Sequence, residues 1–214
     1  MKKAVVLPAV FTVLFFLLIT GCEEEKRFFS PAGGDGGDTF KSLTNKEDVV
    51  FNLLLSYKKK DIIHFEELLH DDYIWYFQEG DVPGDGPSWT KDDDVQATGN
   101  MFLAALGQFE PKIETLTLEI ENNEWYPIDL INGEYCEDCW WTERIYHFVV
   151  VIGETTYYGD ENVGFLVVPV QAGSVKKYKI LRAYDIIGSY MSSMHDAVSG
   201  TEESSWSSIK TIFT

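Results

Sequence analysis

The chain has 214 residues, with 35 acidic against 17 basic side chains and a formal charge of -18 at pH 7. A field of that sign repels phosphate backbones, which removes nucleic acid as a partner class, and it gives no electrostatic adhesion to anionic lipid headgroups. Apolar residues make up 45% and aromatic residues 14%, enough to bury one substantial core in a chain of this length, and no internal repeat is visible.

In chain order, residues 1–21 come first. They start with Lys2 and Lys3, run on through an apolar stretch containing Pro8, and end in Leu18-Ile19-Thr20-Gly21 before Cys22. A positive start, an apolar run near the lower limit of about seventeen residues for a span, and small residues before a cut mark a secretory signal. The stretch resembles a bacterial lipoprotein signal. That resemblance implies cleavage after Gly21, lipidation of Cys22 and a place in the cell envelope, held to the lipid bilayer by acyl chains worth roughly 0.8 kcal/mol per buried methylene. Glu23, where an aspartate would retain the protein at the inner membrane, makes the outer membrane the default in a Gram-negative cell. Losing residues 1–21 removes two lysines and no acid, so the formal charge moves from -18 to -20. This charge is read as solubility of an exported chain in preference to recognition of a cationic ligand.

Residues 22–42 are expected to form a lipidated flexible tether. An acidic cluster passes into Pro31-Ala32-Gly33-Gly34-Asp35-Gly36-Gly37-Asp38, which has nothing to bury, and about twenty flexible residues reach roughly 25 Å. A first helix is predicted from a Thr44 cap with Glu47 as box partner, carrying Val50, Leu53, Leu54 and Tyr57 and closed by Lys58-Lys59-Lys60. Asp61 caps a short second helix with Ile62, Phe65, Leu68 and Leu69 on its apolar side. Asp72–Phe77 alternates as a strand. After a loop containing Gly80, Pro83, Gly84, Gly86 and Pro87, a third helix opens at Thr90 with Asp93 as partner and stops near Gly107. Strands follow through Leu116, Leu118 and Ile120, then Glu143–Ile152 and Asn162–Val170 joined by a loop with Gly153, Gly159 and Asp160, then Lys176–Ile187. In the tail, residues 189–214, Trp206, Ile209, Ile212 and Phe213 predict a short docked helix.

Helices followed by a run of strands give an α+β order: three N-terminal helices packed on a strongly curved antiparallel sheet. The helix Val49 to Lys60, the passage Phe65-Glu66-Glu67-Leu68-Leu69-His70-Asp71-Asp72-Tyr73-Ile74-Trp75-Tyr76, and the closing Tyr178-Lys179-Ile180-Leu181-Arg182-Ala183-Tyr184-Asp185 resemble the nuclear transport factor 2-like, or SnoaL-like, cystatin-type cone. The resemblance covers residues 43–188. It departs at the insert from Glu121 to Trp141 and at the C-terminal tail. It implies a cone-shaped cavity, whose catalytic members place a histidine and an aspartate inside for proton transfer, and it allows a homodimer.

On that implication the pocket candidates are Tyr76, His147, Tyr178 and Arg182, with Asp92, Asp93 or Asp94 at the mouth. A histidine suits proton transfer at neutral pH, but His147 between Tyr146 and Phe148 also reads as a structural strand residue, and acids in a helix's first turn serve its dipole. Cys136 and Cys139 lack two further ligands for a metal, and the acids between them oppose a reactive thiolate; in an oxidising envelope they read as a local disulfide. Trp125, Tyr126, Trp140 and Trp141 read as a lid on the core or as stacking surfaces. No nucleotide-binding loop, nucleophile elbow or zinc-protease motif occurs. The expected function is a non-catalytic binding domain for a small apolar ligand or an envelope protein, with no cofactor. A dehydratase- or isomerase-type enzyme using His147 and a passive envelope scaffold are the alternatives.

Overall fold

Helix α1, Lys46–Lys59, begins where the Asn45 N–H donates to Asp48 Oδ2 at 3.3 Å and ends at Lys60, which takes a left-handed φ of 58°. The start falls one residue later than the Thr44 cap predicts, because Asp48 and not Glu47 folds back, while the Thr44 hydroxyl is engaged by Ser42 at 3.1 Å. The computed structural model describes residues 28–29, 39–77, 87–121, 123–186, 201–203 and 206–214. The signal stretch and Cys22 lie outside the described residues. So do most of the tether and the start of the tail.

From Asp48 to Tyr57 every residue of α1 is buried, polar ones included. Asn52 is tolerated there because its amide accepts from the Lys41 N–H at 2.8 Å and donates to the Lys41 carbonyl at 2.9 Å, pinning the entering chain. Helix α2, Ile62–Leu68, is capped by Asp61 accepting from the His64 N–H at 3.1 Å, and runs straight into strand β2, Leu69–Tyr76. A three-residue β3, Ser88–Thr90, pairs with β2 and feeds helix α3, Lys91–Ala105, through the Thr90–Asp93 capping box. Gly107 takes a φ of 73° just past the helix end, where its N–H returns to the Ala104 carbonyl.

The remaining strands are β4 (Thr115–Glu121), β5 (Tyr126–Ile131), β6 (Glu134–Ile152), β7 (Thr155–Ala172), β8 (Val175–Ile186) and β9 (Thr201–Glu203), followed by helix α4, Trp206–Thr211. With Phe28–Phe29 as β1, in the segment assigned to the tether, the sheet order is β1-β4-β6-β7-β8-β2-β3, with β5 on β6 and β9 on β7. The sheet is mixed. β2 runs parallel to β8, and β9 parallel to β7, which corrects the wholly antiparallel arrangement. Parallel neighbours need a long crossover, and here everything from β3 to β7 intervenes between β2 and β8.

β6 and β7 are longer than their apolar stretches predict. Gly159 and Asp160, expected in a loop, sit inside β7 opposite Phe148 and His147. The turn between the strands is only Gly153-Glu154, with Gly153 at a φ of 58°. The insert from Glu121 to Trp141 is a hairpin: β5 returns through Asn132-Gly133, with φ of 53° and 85°, into the start of β6.

One face of the sheet packs on the helices through Tyr73 and Trp75 of β2, Tyr146, Phe148 and Val150 of β6, and Val163, Phe165 and Val167 of β7. On the other face Cys139, Leu166 and Val168 form a smaller cluster with Trp141 and Leu181. Gly164 makes that cluster possible. A Cβ there would lie 2.3 Å from the Trp141 ring. Gly164→Ala should therefore destabilise the domain by about 1–3 kcal/mol through overpacking. Thermal unfolding checks this, and Gly164→Ala with Trp141→Ala should lose less than the two single changes summed.

Candidate functional site

Three consecutive acids, Asp92, Asp93 and Asp94, open α3, and they part company in three dimensions. Asp93 belongs to the capping box, accepting from the Thr90 N–H at 2.8 Å. Asp94 turns inward and is fully buried. Its Oδ2 accepts from Tyr73 Oη at 2.8 Å, and its Oδ1 accepts from Thr98 Oγ1 at 3.2 Å and from Lys210 Nζ at 2.5 Å. The Lys210 side chain is 2% exposed and that of Asp94 1%. The ammonium also lies 4.6 Å from the ring centre of Trp75 and 5.7 Å from that of Phe65, within range of cation–π attraction.

Burial pulls the Lys210 pKa down, but Asp94 and then Tyr57 outweigh it and leave the ammonium raised above its ordinary value. Burial, with Asp94 adding to it, holds the phenols of Tyr57 and Tyr73 up; burial does the same for Tyr146, where Tyr57 and then Asp94 reinforce it. The site is thus one acid and one cation among neutral phenols. Leu53 and Tyr57 of α1, Tyr73 and Trp75 of β2, and Trp206 and Lys210 of α4 line a small cavity beside Asp94, about 10 Å³ and so roughly one water in size. No lining residue is a histidine or a cysteine. Trp75, itself 4% exposed, carries a buried indole N–H with no acceptor.

None of Tyr76, His147, Tyr178 and Arg182 lines this cavity. Tyr146 and Phe148 face the helices, so His147 between them points to the opposite face. There its Nδ1 lies 2.6 Å from Asp160 Oδ1 and its Nε2 3.1 Å from Glu121 Oε1. Tyr76 stacks on Tyr184 with ring centres 4.9 Å apart. Arg182 donates to the Asp72 and Leu181 carbonyls. Tyr178 is buried, with its hydroxyl on Asp138. Among the insert aromatics, Trp125 and Trp140 pack on the main core, Trp141 lies on the other face, and Tyr126 is half exposed.

Cys136 and Cys139 are joined by a disulfide, and Asp138 between them takes a φ of 63°. That conformation puts the Asp138 carboxylate against Lys176 Nζ and Tyr178 Oη, with the Trp140 indole N–H donating to it at 2.9 Å. Those hydrogen bonds, Lys176's first, lower the Asp138 pKa to about 2. A depressed carboxylate contributes stability above its unfolded value near 3.9 and loses it as pH falls through the folded one. Between about pH 4 and pH 2, Asp138→Asn should therefore show a shallower loss of stability than the parent chain, measured by urea unfolding across that window.

No protein-family model matches the sequence, and no curated protein matches it. Solved structures do. An NTF2-like protein of unknown function in nutrient uptake from Rhodospirillum rubrum aligns with 65% of this chain and 95% of its own at 15% identity, TM-score 0.43. A conserved protein from Planctomyces limnophilus aligns with 65% of this chain and 90% of its own at 14% identity, TM-score 0.37.

The sequence named Asp94 among three candidate acids and docked Trp206, but it missed Lys210, Tyr57, Tyr73, Tyr146 and Trp75 as one group. The available signal was Lys210 itself, a lone cation in the apolar series Trp206, Ile209, Phe213.

Proposed function

We propose that the chain is an envelope lipoprotein, anchored through Cys22, whose nuclear transport factor 2-like domain binds a small molecule between its helices and its sheet without transforming it. The α+β order and the helix-covered sheet support the cone reading, and the lipobox-like run before Cys22 supports the anchor. One observation carries the binding assignment: a buried acid, neutral phenols and aromatic faces converge on a cavity inside an otherwise apolar core. A few placed polar groups in an aromatic-lined interior match a small-molecule site in composition, and at roughly one water in size the interior takes a larger molecule only when the elements around it move apart. The one histidine suggested as a base stands on the opposite face of the sheet, which speaks against proton-transfer chemistry in this interior.

Two measurements test the reading. Cys22→Ser should lose fatty-acid labelling and detergent-phase partitioning; unchanged labelling would remove the anchor. A fragment screen by thermal shift on the mature chain should give binders that stabilise the parent and leave Leu53→Trp, which fills the interior, unaffected. Binders that act equally on both, or none at all, would remove the cavity assignment.

A further inference from the structure

We infer that the interior site recognises an organic ammonium cation, and that Lys210 occupies it in the closed chain as a built-in stand-in. The inference rests on the binding function proposed above and names its ligand class. The scaffold of the site comes from α1, α2, β2 and α3: Tyr57, Phe65, Tyr73, Trp75 and Asp94. The cation comes from α4, with Trp206 of the same helix beside it; α4 has six residues and follows β9. A helix that short does not hold its shape in isolation, so α4 is helical because it is docked, and undocking it costs the scaffold no secondary structure of its own. Take α4 away and what remains is the Asp94 carboxylate with the Trp75 and Phe65 rings that flanked the ammonium, the kind of arrangement that captures ammonium groups.

Two further observations point the same way. The Trp75 indole N–H is buried without an acceptor, which Lys210, a donor only, cannot supply; a ligand bearing an oxygen acceptor beside its ammonium would satisfy both groups. The formal charge of -18 draws cations toward the protein from a distance. A stem of three or four methylenes ending in an ammonium, as in Lys210, sets the minimum size of the ligand.

Lys210→Ala removes the equivalent of n-propylammonium, so that cation is the probe, with n-propanol as its neutral control at matched ionic strength. In the full mature chain, Lys210→Ala should bind n-propylammonium saturably by thermal shift and ignore n-propanol. If the variant is unfolded in buffer, the amine should restore its folded circular dichroism and the alcohol should not; no recovery with the amine overturns the inference. The parent chain supplies the second reading. Chymotrypsin cuts after Trp206, which is buried at 1% exposure, only when α4 is open. A ligand that binds only the open state raises its population by a factor of one plus the ratio of free ligand to Kd, so cleavage should rise about tenfold at ten times the dissociation constant found with Lys210→Ala. Rescue of Lys210→Ala with no change in parent cleavage would make Lys210 a fixed structural partner and overturn the stand-in. Equal binding of n-propanol would overturn the cation class and leave a small-molecule site standing. No binding of either, while fragments still distinguish the parent from Leu53→Trp, overturns the inference alone. No binding of anything removes both.

Discussion

Asp94→Ala should lower the stability of the mature domain by about 3–5 kcal/mol, the cost of breaking a buried ion pair by removing one partner. The size follows from what is stranded. The Lys210 ammonium loses its carboxylate, and the Tyr73 hydroxyl loses its acceptor, both inside the core. Asp94→Leu combined with Lys210→Met should recover most of that loss, because two apolar side chains of similar size ask for no partner. Urea unfolding of the parent, both single changes and the pair gives the coupling directly; a coupling near zero would mean that the two charges do not meet. The same cluster sets an alkaline limit. Lys210 and the three phenols have folded pKa values raised above their unfolded ones, so their contribution is complete below about pH 10 and is lost as pH rises through the folded values. Stability should fall above about pH 10, and the fall should be shallower in the apolar pair.

The helices were legible because their ends are written locally. Asp61, and Thr90 with Asp93, each satisfy orphan N–H groups within three residues, and the structure uses both. The strands were harder, since apolar content marks only the parts that are covered. β6 and β7 each include stretches that are only partly covered, Gly159-Asp160 among them, and such stretches resemble a loop. Asn132-Gly133 is a strong short-range turn signal, so this hairpin has a local signature even within the insert. The parallel pairing of β2 with β8 could not be read, because it joins residues more than a hundred positions apart, and no local pattern records it. The same holds for the site. Asp94 and Lys210 are brought together by the docking of the chain's last helix. Whether the third of three adjacent acids faces water or core depends on a residue 116 positions later.

That docking leads to the second large effect. Trp206→Ala should cost about 3–5 kcal/mol, as expected for truncating a buried tryptophan. The indole is 1% exposed, with the Tyr57 ring centre 5.4 Å away and that of Phe148 5.1 Å away, so it joins α1 to β6 from the end of the chain. Beyond it, Ile209 and Phe213 are fully buried, and Asn100 on α3 donates to the Phe213 carbonyl at 2.7 Å. Removing the indole leaves Ile209, Lys210 and Phe213 to hold six residues of helix. Hydrogen exchange should then separate two outcomes. The amides of Ile212 and Phe213, bonded to Ile209 and Lys210, should lose protection, while those of β6 and β7 keep more of theirs. A uniform loss across all of these would make α4 part of the global folding unit; an unchanged urea midpoint would mean that Trp206 is not seated in the core at all. Retained protection in the sheet with a freed tail is the expected pattern, since the sheet's own pairing of β6 with β7 does not depend on any residue of α4.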